Sequence, residues 1–348
     1  GDTSADVRLL PGDVIFVPPI GQAVSISGEV VRPAIYELKG EETIADLIDY
    51  SGGMLSTAYP SKSTLERING NGSRQLLSIN LTNKGVLTKR LHDGDRIDVA
   101  TVLDKLENAV ALDGHVERPG QYQWRQGMRV SDLIDSLDDL KPQADLHYAL
   151  VRREDGLGRE ISVYHVSLGE VFASPGSDVD LLLQPRDKLM VFSLQEERSE
   201  LLQPLIDELR YQTRIDQPAK VVTLEGNVRF PGSYPLTEGM QLSELISAAV
   251  DVLPDSDLSY VLVQSVDQAT RSIALDSYNL QQAVNGVQGA NDPYLASNDT
   301  VYLFNINDDR QEQLSTIIAR LQAQTNYDFP QQVVRIGGRV THPGIYPL

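Results

Sequence analysis

The chain repeats one nine-residue pattern four times, and this repeat constrains the fold more than any other feature. The pattern G-x-V-x-x-P-G-x-Y occupies residues 28–36, 114–122, 226–234 and 338–346, with Ala34 replacing the second glycine of the first copy. A valine-bearing strand that runs into a Pro-Gly pair and then a tyrosine is typical of a β-hairpin. We expect type II turns, in which proline fixes the first central φ and glycine takes the positive second φ. Ala34 disfavours that φ, so the first copy is expected to form a type I turn instead.

A second recurring segment marks where each unit ends. A polar turn containing aspartate precedes a short strand of alternating polarity at residues 11–17, 93–99, 185–191 and 297–303. The motif glycine and this aspartate are 67 residues apart in the first unit (28 to 95) and 73 apart in the next two (114 to 187 and 226 to 299). Each unit is therefore expected to open with the hairpin and to close with this strand.

Between its two ends, each unit carries one helix signal. Ser or Thr precedes an acidic residue and a Leu-Ile pair at residues 43–48, 130–134 and 242–246, a pattern that favours a capped amphipathic helix. Strand-like pairs follow the helix in the second and third units. The order β-β-α-β-β-β predicts an α+β fold, in which one helix crosses a mixed, mostly antiparallel sheet. This is the arrangement of a β-grasp (ubiquitin-like) domain.

The segments that follow the second and third units align with each other over a period of 112 residues (114 to 226). Each places four apolar residues at positions i, i+3, i+4 and i+7, which share one helical face. These residues are Leu202, Leu205, Ile206 and Leu209, and then Leu314, Ile317, Ile318 and Leu321. We predict helices at about 196–212 and 308–324 whose apolar faces are buried, because isolated helices of this length are marginally stable.

These signals divide the chain into tandem β-grasp units joined by helical connectors. The predicted parts are a closing strand of a preceding unit (1–20), three β-grasp units (21–108, 109–194 and 221–306), helical connectors (195–220 and 307–332) and the opening hairpin of a fourth unit (333–348). Opening and closing strands are parallel neighbours in a β-grasp sheet, so the two unpaired ends are expected to associate. Val14 and Phe16 would then pack near Ile336 or Val340, more readily between two molecules than within one.

Composition and motif spacing exclude several classes of function. A net charge of −19 argues against nucleic acid as a partner, and no apolar run approaches the ~18 residues of a membrane span. The chain has no cysteine, hence no disulfide, thiol chemistry or cysteine-bound zinc. Its histidines, glycine pairs and aspartate clusters lack the spacings of metal, nucleotide and calcium sites. We predict no catalytic residue, no cofactor and no metal site.

Aromatic residues provide the one candidate binding feature. Tyr36, Tyr122 and Tyr234 begin the second strand of their hairpins, and Trp124 is the only tryptophan. Aromatic rings combine a large apolar face with a polar group, which suits contact with a sugar ring. These four residues are the candidate glycan contacts. A tyrosine at a fixed hairpin position is also a common packing residue, and both interpretations stay open.

The repeated motifs together resemble a known domain type. The hairpin pattern, the helix signal followed by Gly52-Gly53, and the closing G-D-x-I-x-V segment at residues 94–99 are similar to soluble-ligand-binding β-grasp (SLBB) repeats. Tandem copies preceded by Pro11-Gly12-Asp13 resemble the outer-membrane polysaccharide export family (Wza type). The resemblance implies a non-enzymatic, periplasmic portion of an outer-membrane-associated exporter of capsular polysaccharide or exopolysaccharide. It also implies self-association into a ring or stack, and an inner-membrane polysaccharide copolymerase as a partner beside the polysaccharide itself.

Two other classes of function stay open. In one, the repeats form a structural scaffold that binds neighbouring protein subunits of the export assembly and never contacts glycan. In the other, they form an accessory domain of an enzyme.

Overall fold

A computed structural model describes residues 7–16, 19–103, 106–214, 217–250, 252–267, 270–281, 292–307, 309–325 and 332–348. The chain divides into two compact units, residues 1–105 and 106–348. The first unit contains one five-stranded sheet, and the second contains two five-stranded sheets and a two-stranded hairpin.

The first sheet is mixed and is crossed by one helix. Its elements are β1 (Ala23–Gly28), β2 (Ala34–Glu37), α1 (Ile44–Tyr50), β3 (Ser63–Ile68), β4 (Arg74–Ile79), α2 (Lys84–Leu87) and β5 (Arg96–Val99). The strand order is β2-β1-β5-β3-β4, and only the β1–β5 pair is parallel. The opening and closing strands of the unit therefore lie side by side at the centre of the sheet.

Local sequence explains where α1 begins and which face it buries. The Thr43 backbone N–H donates to the Asp46 carboxylate at 2.7 Å, and Asp46 N–H donates back to the Thr43 hydroxyl at 3.4 Å, which forms a capping box. Ile44, Leu47 and Ile48 on one face of the helix are buried against the sheet. Burial of each such side chain stabilises the fold by roughly 2 kcal/mol.

The second unit contains two further sheets of the same design. The elements of the second sheet are β6 (Ala109–Gly114), β7 (Gly120–Gln123), α3 (Val130–Leu133), β8 (Ala144–Asp155), β9 (Glu160–Val166), α4 (Leu168–Ala173) and β10 (Lys188–Ser193). After helix α5 (Ser199–Tyr211), the third sheet contains β11 (Val221–Gly226), β12 (Gly232–Pro235), α6 (Leu242–Ala248), β13 (Ser256–Val266), β14 (Ile273–Tyr278) and β15 (Thr300–Asn305). Helix α7 (Arg310–Ala323) then leads to the hairpin of β16 (Val333–Ile336) and β17 (Gly344–Pro347).

The second and third sheets have the strand order of the first, β7-β6-β10-β8-β9 and β12-β11-β15-β13-β14. The opening strand again pairs in parallel with the closing strand. The predicted α+β class and β-β-α-β-β-β order are thus confirmed in all three units. The short helices α2 and α4 were not predicted. The domain boundaries drawn from the sequence stay predictions.

The helix starts in the second and third units differ from the sequence expectation. Ser131 and Ser243 do not cap their helices but lie inside them, where their hydroxyls donate to Asp180 and Asp292 at 2.6 and 2.7 Å. The predicted Ser caps at these two helices are wrong, because each serine is held by a carboxylate from the segment before the closing strand. A Thr cap forms only at α1 among these three helices.

The two connector helices are confirmed as α5 and α7, and each buries its four predicted apolar residues. Helix α5 joins a core shared by the second and third sheets. Helix α7 packs between the third sheet and the β16–β17 hairpin. No helix among the described residues is long and apolar enough to cross a bilayer.

The two ends differ in structure. The final hairpin forms, and Tyr346 is buried in the core built around α7. Residues 7–16 form no strand, and the side chains of Val14 and Phe16 are 89% and 79% exposed; Val17, the end of the predicted strand, lies outside the described residues. The predicted strand is therefore wrong for residues 7–16 of the isolated chain, since a strand needs a neighbour to pair with its backbone. Association between two molecules stays a prediction.

Candidate functional site

The first glycine of the hairpin motif has the most demanding backbone conformation. Gly28, Gly114 and Gly226 have φ values of 78°, 91° and 97°. A Cβ atom at any of the three would lie 2.0–2.1 Å from a carbonyl oxygen of the closing strand. Glycine is thus required here both for its positive φ and for the close approach of the opening and closing strands.

The glycine of the Pro-Gly pair has a different role from the one expected. Gly120, Gly232 and Gly344 have φ values of 157°, 150° and 159° and are the first residues of their strands. These values are still positive, but they are far from the φ of about +80° that a type II turn requires. The type II prediction is wrong. Ala34 opens β2 at the equivalent position without a positive φ, so this copy needs no glycine there.

The motif tyrosine holds its own hairpin closed. In all four copies its hydroxyl donates to the carbonyl of the residue that precedes the motif proline, four positions earlier. The oxygen–oxygen distances are 2.8, 2.6, 2.6 and 2.9 Å for Tyr36, Tyr122, Tyr234 and Tyr346. A buried or half-buried phenol needs such a partner. The repeated tyrosine therefore has a structural task in every hairpin, and any contact with glycan would be additional to it.

The candidate tyrosines differ in how much ring they expose. Tyr234 is only 2% exposed and lies in the core shared by the second and third sheets. Burial raises the pKa of Tyr234 to about 12. Its ring has no free face for a sugar in this structure, so its proposed role as a glycan contact is corrected to one of packing. Tyr36 and Tyr122 are half-buried.

Tyr122 and Trp124 are the only two of the four candidates that the structure brings together. They lie two residues apart, at and just after the end of β7, and both pack against the core of the second sheet. The Trp124 indole N–H donates to the Leu183 carbonyl at 2.8 Å, which fixes the ring in a half-buried position. Tyr122 also lines an open cleft of about 450 Å³ with Arg125 and Met128. Partly exposed rings beside a cleft retain a surface for a weak contact.

The sequence reasoning missed a buried ionic joint in the 106–348 unit. Arg198, just before α5, is 2% exposed; its guanidinium pairs with Asp145 of β8 and donates to the Ala248 carbonyl at the end of α6. Its Cζ atom lies 5.1 Å and 5.3 Å from the ring centroids of Tyr148 and Phe192. A buried charge persists when it is paired and hydrogen-bonded in this way. This side chain ties the second sheet to the helix of the third.

The same joint recurs one period later. Arg310 pairs with Asp257, and its Cζ atom lies 5.4 Å from the Tyr260 ring centroid and 6.0 Å from that of Phe304. Each of these residues stands 112 positions after its counterpart in the first joint (198 to 310, 145 to 257). The signal that would have found the joint was therefore the 112-residue period, read for charged and aromatic residues as well as for the apolar stripe.

A glutamine latch closes the other end of each connector helix. The Gln212 side-chain amide accepts from the Ile161 backbone N–H at 2.8 Å and donates to the Ile161 carbonyl at 2.9 Å. Gln324 makes the same two bonds to Ile273 at 2.9 and 2.8 Å. The amide therefore pairs with the backbone of the hairpin as another strand residue would. The arginine therefore holds the N-terminal end of each connector helix, and the glutamine holds its C-terminal end.

The ionisable groups of the site are arranged for structure. Asp187, in the turn before β10, is 1% exposed and accepts bidentate hydrogen bonds from Arg153 at 3.0 and 2.6 Å. Within the described ranges, no cluster of three or more histidine, aspartate or glutamate side chains is placed to hold a metal ion. The geometry supports rigid presentation of surfaces and shallow clefts.

The family comparison locates the repeats within this framework. A family model described as SLBB domain matches residues 23–77, 109–137 and 221–249. Each match begins on an opening strand (β1, β6 or β11) and includes the hairpin and the helix that follows it. No curated protein matches the chain. The chain thus carries tandem SLBB-type repeats, with one match on each of its three five-stranded sheets.

Proposed function

We propose that this chain is a periplasmic part of a polysaccharide export assembly, where it supports the translocation of a capsular polysaccharide or exopolysaccharide without catalysing a reaction. The observation that carries the proposal is the set of three SLBB matches, each on a β-grasp sheet of the same strand order. SLBB domains occur in polysaccharide export proteins.

The proposed mechanism is passive. Joints built around Arg198 and Arg310 hold the successive repeats of the 106–348 unit in fixed positions. Such a body presents several shallow surfaces, and weak contacts with a polymer add up when many repeats engage the same chain. Trp124 and Tyr122 provide one such surface. Self-association into a ring or stack, and contact with an inner-membrane polysaccharide copolymerase, would align these surfaces along the path of the polymer.

The second candidate is a scaffold of the export assembly that binds only neighbouring protein subunits. One observation favours it: the motif tyrosines all close their own hairpins, and Tyr234 is buried. In this alternative the aromatic residues stabilise the repeats, and the polymer passes without touching them.

Titration with glycan distinguishes the two candidates. Oligosaccharides prepared from the polymer that the source cell exports are titrated into the protein and into its Trp124→Ala variant, with calorimetry or NMR as the readout. We expect weak binding to the wild type and weaker binding to the variant. Tyr294→Phe is a matched control because it retains an aromatic ring, and Tyr294 is exposed and does not line the cleft beside Tyr122. Equal binding by wild type and Trp124→Ala would remove the aromatic surface from the proposal, and no binding by either would favour the scaffold.

A further inference from the structure

A cleft with unusual chemistry lies beside the first glutamine latch. It is bounded by the end of α5, the β8–β9 hairpin and the segment that leads into β11, and its volume is about 480 Å³. Five of its lining side chains define what we call the latch cleft: Arg159, Ser162, Tyr211, Arg214 and Lys220. All of its walls belong to the 106–348 unit.

The latch cleft is basic in a strongly acidic protein. Arg159, Arg214 and Lys220 line it, and Glu160 is the only acidic side chain among the described residues of its lining, whereas the chain as a whole has a net charge of −19. Arg214 and Lys220 are exposed, and neither forms an ion pair with another described residue. The Arg159 Nε atom lies 4.0 Å from a carboxylate oxygen of Glu154. Another cleft, at the start of α5, has a mixed lining that includes Glu196, Glu197 and Glu200 with Lys141 and Arg198. Among the described residues, Arg214 and Lys220 thus have no carboxylate partner, and both can meet an anion.

An exposed aromatic ring completes the latch cleft. Tyr211 is the last residue of α5 and is 89% exposed, compared with 2% for the motif residue Tyr234. An aromatic ring left in water contributes nothing to the core. Beside Arg214 and Lys220, the ring supplies the apolar platform that the C–H face of a sugar requires, while the two cations supply charge-assisted hydrogen bonds to a carboxylate.

The second joint is an internal control for what the fold itself requires. One period of 112 residues later, the latch glutamine recurs as Gln324 and the hairpin arginine as Arg271. The ring is replaced by Ala323, and the lysine by Gln332. The second joint folds around the same latch without the ring and without that cation. Neither feature of the latch cleft is therefore needed to build the joint.

We propose that the latch cleft binds an acidic saccharide, with Tyr211 stacked on the sugar ring and with Arg214 and Lys220 on the carboxylate of a uronic acid residue. If this sugar belongs to the exported polymer, the site names a class of polymer for the proposed function and to that extent rests on it. Arg214 and Lys220 would select a negatively charged ligand, and Tyr211 would select a ligand that contains a sugar ring.

The test compares binding of tri-galacturonate with that of maltotriose, a neutral sugar of the same length. The variants Tyr211→Ala and Lys220→Gln each introduce the residue that occupies the same position in the second joint. Arg271→Gln, at the second joint, is the matched control.

We expect the wild type to bind tri-galacturonate in preference to maltotriose, and to lose affinity as salt is added. Each latch-cleft variant should bind at least about tenfold more weakly, as expected when one charged hydrogen bond or one stacking contact is lost. Arg271→Gln should bind as the wild type does.

Three results would overturn the assignment. The first is equal affinity of the wild type and both latch-cleft variants for tri-galacturonate. The second is equal affinity of the wild type for the neutral and the acidic sugar. The third is binding of poly-glutamate as tight as that of tri-galacturonate, because the cleft would then be a general site for acidic polymers or peptides.

Failure of the latch-cleft assignment can be told apart from failure of the proposed function. If the exported polymer binds in a Trp124-dependent manner while tri-galacturonate does not bind, the latch-cleft assignment falls and the export proposal stands. If tri-galacturonate binds but the exported polymer does not, the latch-cleft assignment stands and the scaffold is favoured over contact with the polymer.

Discussion

Gly226 illustrates what the hairpin motif asks of a single residue. It ends β11 with a φ of 97°, and a Cβ atom there would lie 2.0 Å from the Leu303 carbonyl oxygen. Six positions later, Gly232 opens β12 at a φ of 150°, with nothing within 4 Å of the same hypothetical atom. Two glycines of one motif therefore have different tolerance for a side chain.

This contrast predicts that alanine substitutions at the two glycines lower the free energy of unfolding by different amounts. Gly226→Ala should lower the free energy of unfolding by about 3 kcal/mol or more, because it combines an unfavourable φ with a clash against backbone. Gly232→Ala should cost less, about 1–2 kcal/mol, because its φ of 150° is unfavourable for alanine but no atom lies within 4 Å of the added Cβ. Urea unfolding of the two variants checks the prediction. Equal destabilisation by the two would contradict this account of the motif.

Tyr234 links burial to stability at high pH. Its folded pKa is raised to about 12 because the phenol is buried, whereas an unfolded tyrosine titrates near pH 10. A raised folded pKa means that its contribution is complete below pH 10 and is lost as the pH rises from about 10 to about 12, where only the unfolded chain ionises freely. The contribution of Tyr234 should amount to about 2–3 kcal/mol.

The matching experiment records the free energy of unfolding between neutral pH and pH 12. Tyr234→Phe should be less stable than wild type at neutral pH by roughly 1 kcal/mol, because the hydrogen bond to the Phe230 carbonyl is lost. Its disadvantage should shrink above pH 10 and then reverse, since phenylalanine cannot ionise while the wild type loses about 2–3 kcal/mol by pH 12. The exposed Tyr211→Phe should follow the wild type throughout. A constant difference between Tyr234→Phe and wild type at every pH would show that the Tyr234 phenol does not control alkaline unfolding.

At the scale of the elements, sequence patterns predicted the parts whose cause is local or periodic. The hairpins followed from the repeated motif, and α5 and α7 from apolar residues at i, i+3, i+4 and i+7. Contacts between distant segments escaped prediction. Ser131 and Ser243 were expected to be caps, but carboxylates about fifty residues away hold them inside their helices. The joint around Arg198 was missed because its partners come from three separate elements. Of the candidate aromatic residues, only structure could separate buried Tyr234 from half-buried Trp124.

The packing of α7 predicts that an aspartate at one position lowers the stability strongly and that an aspartate at the next position lowers it little. Ile318 is 7% exposed in the core between the third sheet and the last hairpin, and Ala319 is exposed. Ile318→Asp places a charge in that core and should cost about 3 kcal/mol or more. Ala319→Asp adds the same charge in water and should cost less than about 1 kcal/mol. Thermal melting of both variants measures the difference, and unchanged melting of Ile318→Asp would mean that this face is not part of a core.

At the scale of the molecule, the two arginine joints make the 106–348 unit a series of rigidly linked repeats. Arg198 touches the second sheet and the helix of the third at once. Arg310, the first residue of α7, pairs with Asp257 of β13 and so fixes on the third sheet the helix against which the final hairpin packs. Such links between successive repeats are what the proposed passive guide for a polymer requires.

Removal of one joint cation should uncouple these repeats. Arg198→Met leaves Asp145 buried without its partner and should cost about 3–5 kcal/mol. The double variant Arg198→Met/Asp145→Asn removes both charges and should recover part of that loss. In the wild type, the backbone amides of β6 and β11 should become exchangeable together, in one opening event. In Arg198→Met, the amides of the two strands should exchange in separate events. If the single variant retains wild-type stability and coupled exchange, the joint does not link the sheets.

The central claim is that this protein acts in polysaccharide export, and the amount of polymer at the cell surface tests it most directly. Surface polysaccharide is measured in cells that lack the gene, in cells that carry the wild type, and in cells that carry Arg198→Met. We predict that loss of the gene abolishes surface polymer, and that polymer accumulates inside the cell envelope. The wild-type gene should restore export, and Arg198→Met should restore it only in part. Undiminished surface polysaccharide in cells without the gene would contradict the account.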